Sequence, residues 1–77
     1  MTVEIVGYKK KNFNTPDGTQ ISGYDLHVTG VENGVTGNFV ERIFASERKL
    51  NNYTPSLGDI VDIQYNRYGK IDCIEVK

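Results

Sequence analysis

LGDIVDIQYNRYGKIDCIEV, residues 57 to 76, decides the fold. Two β-rich runs, 57–65 and 70–76, flank Asn66-Arg67-Tyr68-Gly69. Gly69 permits the positive φ that a tight reversal needs, and Asn66 is equally at home there. The stretch therefore reads as two antiparallel strands joined by a hairpin. Its tip raises a question, because neither turn position explains a tyrosine. A hairpin tip is solvated, so a ring there gains little from core burial. Tyr68 either folds back on its own chain, lies in a subunit contact, or meets a ligand.

Upstream, the chain continues as short β-rich segments. TVEIVGYKKKNF, residues 2–13, mixes β-branched, aromatic and charged residues, as suits a strand with one wet face. NTPDGTQ, residues 14–20, is turn chemistry, with Pro16 presetting φ and Asp17-Gly18 reversing the chain. ISGYDLHV, residues 21–28, is a second strand. Its Tyr24, Leu26 and Val28 share a face that Ile21 does not, which predicts a bulge or bend near Gly23. That shared face is either the core face or, if Ile21 is core and a bulge turns the strand, one that sets Tyr24 toward a groove. A turn at 29–37 contains Asn33-Gly34, and NFVERIFA, residues 38–45, is the third strand. Phe39, Glu41 and Ile43 alternate there with Val40, Arg42 and Phe44. Ser46 is placed to cap one or two helical turns, ERKLNNY, with Leu50 and Tyr53 turned inward.

Five short strands and at most one small helix, between strands three and four, predict an all-β fold in one domain spanning 1–77. A flat sheet would leave an apolar face bare, so a small five-stranded barrel is expected. An SH3-like barrel and an OB-fold both fit, and the element between strands three and four favours the OB-fold.

Composition narrows the chemistry. A chain of 77 residues, 38% hydrophobic, buries only about 60% of its unfolded surface and often needs extra support. With one cysteine, Cys73, and one histidine, His27, it can form neither an internal disulfide nor a four-ligand Cys/His zinc site. A second copy of the chain is the remaining support, and a homodimer is expected. No long apolar run is present, so a cytoplasmic protein with no membrane span is the expectation. No glycine-rich phosphate loop occurs, and no nucleophile, base and orienting group can be assembled, so neither catalysis, a cofactor nor a small-molecule substrate is expected. His27 and Cys73 invite a thiol nucleophile, but Cys73 has apolar neighbours and nothing that lowers its pKa.

Nine Lys and Arg stand against ten Asp and Glu. The bases are clumped, so a basic face on a neutral protein is open to the chain. Lys9, Lys10 and Lys11 run into Phe13, and could line a phosphate-tracking groove or simply keep a strand edge soluble. Three consecutive strand residues cannot face one way, so at most two of these lysines share a groove. Arg67-Tyr68-Gly69-Lys70 offers a ring for a nucleobase between two bases for phosphates. Arg42 suits either a solvated strand position or a phosphate contact.

Strand two, strand three and the last hairpin resemble the gene V-type single-stranded DNA-binding proteins of filamentous phages and related mobile elements. YTPSLGDIVDIQYNRYGKIDCIEVK, residues 53–77, carries most of the likeness, and ISGYDL, residues 21–26, is similar to that family's second strand. The resemblance implies an OB-fold homodimer that coats single strands with little sequence preference, in a bacterial host's cytoplasm if phage-encoded. It implies a stacking role for Tyr24, an apolar groove contact for Leu26, a phosphate contact for Arg42, and a hairpin-tip aromatic role for Tyr68. Two departures imply weaker or more salt-sensitive binding: Asn14 and Thr19 stand where the first hairpin would carry arginines, and Glu75 where a further base is expected.

The expected function is thus non-enzymatic coating of single-stranded DNA, with Lys9, Lys10, Lys11, Phe13, Tyr24, Leu26, Arg42, Arg67, Tyr68 and Lys70 as candidate contacts. A protein-interaction module on a small barrel is the alternative that near-neutral charge favours. A cold-shock-type RNA-binding barrel ranks lower, for want of alternating aromatics on two adjacent strands.

Overall fold

A computed structural model describes residues 1–77. The chain forms β1 (Thr2–Asn14), β2 (Gln20–Gly30), β3 (Phe39–Ser46), α1 (Glu47–Leu50), β4 (Ile60–Tyr65) and β5 (Ile71–Val76). All five strands join one antiparallel sheet in the order β3-β2-β1-β4-β5. The all-β class and the single short helix between strands three and four agree with the sequence reading. The only helix has four residues, so none is long and apolar enough to cross a membrane.

Alternation at period two sets the core. Val3 and Ile5 of β1, Leu26 and Val28 of β2, Ala45 of β3, Val61 and Ile63 of β4 and Ile74 of β5 bury one face of the sheet. Leu50 of α1 completes this cluster of nine. Fully burying one such aliphatic side chain contributes about 1.5–3 kcal/mol, so in a core this small each one matters.

No strand ladder joins the outer strands β3 and β5, so backbone pairing does not close the sheet into a barrel. Instead α1 packs against β2, β3 and β5, and the Lys49 Nζ donates a hydrogen bond to the Ile71 carbonyl. Leu50 plugs the core from this side. Ser46 precedes the helix with an extended backbone, but its hydroxyl makes no capping bond, contrary to expectation. Four residues give the macrodipole and the cap little to stabilise; packing holds the turn.

The bulge lies elsewhere than expected. The β1–β2 register runs unbroken through Gly23 and is interrupted at Val6, between Ile5 and Gly7. Ile21 faces away from the core, opposite Phe13, which is why it breaks step with Tyr24 without any bend. Gly23 serves close approach instead: a Cβ there would collide with the Ala45 carbonyl oxygen and come within 2.8 Å of the Phe44 ring. Strand four also starts later than the sequence indicates. Leu57 and Gly58 form a turn, with Gly58 at φ +85°.

Two polar anchors hold the loops. In the β1–β2 turn, Asp17 accepts hydrogen bonds from the Thr15 hydroxyl and the Thr19 amide. The Thr15 bond is the main cause that holds the Asp17 carboxyl below its ordinary pKa. Between α1 and β4, the Tyr53 hydroxyl donates to Asp59. Burial, then that bond to a carboxylate, push the Tyr53 pKa up to about 12.

Two outcomes follow. Gly23→Ala should destabilise the fold by about 1–3 kcal/mol, because backbone as well as a ring must move. Urea denaturation measures this, and an unchanged midpoint would refute the close-approach argument. Tyr53 favours the protonated form when folded, so its stabilisation is complete below pH 10 and is lost as pH rises toward about 12. Tyr53→Phe should therefore flatten the alkaline fall in stability relative to wild type. Parallel curves for the two proteins across that window would contradict it.

Candidate nucleic-acid interface

The register sorts the candidate residues onto two faces. Residues paired across an antiparallel ladder share a side. Lys9 pairs with Asp25, Lys11 with Gly23 and Phe13 with Ile21, and His27 pairs with Arg42 while Asp25 pairs with Phe44. All of these lie on the face turned away from the core. Three cations, Lys9, Lys11 and Arg42, thus share one surface with two phenylalanines.

The rings there are organised. Phe13 and Phe44 pack with centroids 5.5 Å apart and planes tilted by 59°. The Lys11 ammonium sits 6.0 Å from the Phe13 ring centre and 3.8 Å from the Asp25 carboxylate. Phe13 remains 39% exposed, so a flat ligand can reach it. Asp25 is the one acid among these paired positions, and it offsets part of their positive charge.

Toward the end of β3 the surface dips into a hollow lined by Ile21, Phe44, Ser46, Lys49, Lys70 and Ile71. Lys70 immediately follows the β4–β5 hairpin tip, so the tip adjoins this surface. The Asn66 side chain builds the tip: its Oδ1 accepts the Tyr68 amide at 2.9 Å and the Lys70 amide at 3.1 Å. Gly69 takes φ +77° and its amide donates to the Asn66 carbonyl at 3.0 Å. This geometry projects Tyr68, which stays 72% exposed and does not fold back on the chain. The Arg67 guanidinium donates to the Tyr68 hydroxyl at 2.9 Å and lies 5.0 Å from its ring centre.

Three candidates do not join this surface. Leu26 is fully buried in the core, so the groove contact implied for it is corrected. Tyr24 and Lys10 face each other on the core side of the β1–β2 ladder. Tyr24 is half-buried, meets Tyr8 edge-on at 6.0 Å, and lines a separate shallow cleft with Lys10, Leu50 and Tyr53. One strand step separates the two faces, which is why Lys10 parts from Lys9 and Lys11.

Phe44, Ile21 and Lys49 join the surface although the sequence did not single them out as contacts. Period-two alternation in β3 already set Phe44 beside Arg42, and that signal could have found it. Ile21 and Lys49 become neighbours only through the tertiary approach of α1 and β5. At Cys73 burial, then the carboxylates of Glu75, Asp72 and Asp62, push the thiol pKa up. No cluster of metal-ligating side chains is present. Comparison with family models, curated proteins and solved structures found no significant match, so the fold and this surface carry the functional argument.

Proposed function

We propose that the protein binds single-stranded DNA without sequence preference, as a homodimer that coats replication or transfer intermediates of a phage or mobile element. The observation that carries this reading is the gathering of Lys9, Lys11, Arg42, Phe13 and Phe44 on one face that leads to the exposed Tyr68. Cations that track a backbone, interleaved with rings on which bases stack, are what sequence-tolerant single-strand binding requires. The resemblance to gene V-type proteins points the same way. Exposed apolar side chains support self-association: Val31, Val40 and Leu57 are 82%, 73% and 64% exposed, and the outer edge of β3 is unpaired. The role is a binding one and needs no cofactor.

The neutral total charge is compatible with this function because the local arrangement decides affinity. Each phosphate neutralised releases counterions, so affinity should fall steeply with salt. The governing test is an anisotropy titration of labelled oligo-dT at low and moderate salt. Binding that weakens with salt supports the reading, and no binding even at low salt overturns it. Oligo-U in parallel tests the DNA preference.

Two substitutions probe the contacts. Tyr68→Ala should cost about 1–3 kcal/mol of binding and leave the melting temperature unchanged, since the ring is largely exposed. Asp25→Asn should act in the opposite direction. One charge about 4 Å away in water is worth about 1 kcal/mol, so removing it should tighten oligo-dT binding by up to about fivefold. A weaker or unchanged affinity would place the DNA path away from Asp25.

A further inference from the structure

We propose that the hollow between β2, β3, α1 and β5 is a subsite for one unstacked base of the bound strand and its adjoining phosphate. This rests on the single-strand reading and locates a contact within it. The floor is apolar: the Phe44 ring with Ile21 and Ile71. Phe44 is held in place from two sides, by Phe13 at 5.5 Å and by the bare backbone of Gly23 beneath it. A ring fixed in this way offers a flat face at little cost in side-chain entropy.

The rim is cationic. Lys49 of α1 and Lys70, just before β5, both line the hollow, and the Lys49 bond to the Ile71 carbonyl brings its head to the residue that follows Lys70. Lys49 spends one donor on the Ile71 carbonyl, and an ammonium carries three. Two donors therefore remain on a head that is already positioned. Lys70 makes no side-chain hydrogen bond or ion pair within the chain and is free to meet an anion. The Ser46 hydroxyl, unused in capping, adds a polar group at the wall.

An apolar floor with two cations at its rim and no acid among its lining residues matches a nucleotide: a flat, weakly polar base on the floor and its phosphate between the lysines. An apolar peptide side chain would fill the floor and leave both cations without a partner.

Isoleucine methyl NMR reads the site directly. Ile21 and Ile71 report on the hollow, while Ile5, Ile63 and Ile74 are buried core references. On titration of the wild-type chain with oligo-dT, the Ile21 and Ile71 methyls should shift upfield under the ring current of the seated base. The core methyls should stay in place. Phe44→Leu keeps the floor apolar but removes the ring, and should weaken oligo-dT binding at least about fivefold. Oligo-dT binding with both reporter methyls unmoved would overturn the subsite and leave the single-strand reading intact. Absence of any oligo-dT binding would overturn both.

Discussion

The two halves of the sheet are joined by a very short ladder. Thr2, Val3 and Glu4 pair with Asp62, Val61 and Ile60, and no other strand pairing connects the β1–β2–β3 meander to the β4–β5 hairpin. Backbone bonds from the Ile5 amide to the Asp59 carbonyl and from the Gly58 amide to the Ile5 carbonyl extend that junction by one turn. Val3 and Ile5 then insert into the core that both halves line. The bulge at Val6 follows at once, and it lets β1 serve β4 at its start and β2 for the rest of its length. The placement of the basic face beside the β4–β5 tip depends on this junction. The helix and the Lys49 bond to Ile71 secure the far side, where a strand ladder is missing.

A neutral chain can still present a charged surface when sequence alternation sorts its residues. Lys9 and Lys11 fall on one side and Lys10 on the other because of strand periodicity alone. The same rule sends Arg42 and Phe44 outward and Ile43 and Ala45 inward. What the acids do is equally local. Asp59 holds a loop through Tyr53, Asp17 holds a turn, and only Asp25 interrupts the paired basic positions. The overall charge count therefore says little about the surface that a strand of DNA would meet.

Much of the architecture was legible because strands and turns are local. Asp17-Gly18 and Asn66 to Gly69 marked their reversals, and Leu50 and Tyr53 turned inward as expected. The misreadings share one cause, which is that period two assigns faces only relative to a known register. The offset of Ile21 looked like a bulge because the sequence does not show that its partner is Phe13. The real bulge, at Val6, carries no turn residue of its own beyond the neighbouring Gly7. The family likeness implies a groove contact for Leu26, whereas the sheet buries it, and Tyr24, which the sequence leaves between core and groove, lies on the core side. The hollow beyond Phe44 was not readable at all, since its walls come from four elements far apart in the chain.

The β1–β2 hairpin has a further consequence. From Tyr8 to Ser22 no side chain is buried, and the molecule measures 43 Å along its longest axis against 27 and 19 Å. Beyond Gly23, where the pairing with β3 ends, the hairpin is a two-stranded arm tied to the body by the Phe13–Phe44 contact, and such ribbons are only marginally stable alone. Cooperativity should therefore fade along it. Amides near Gly23 and Tyr8 share the protection of the body, while those approaching Thr15 and Thr19 exchange through local fraying at far lower free energy. Heating would melt the arm inward from its tip before the body unfolds, as far as the point where Phe13 packs on Phe44 and ties the arm to β3.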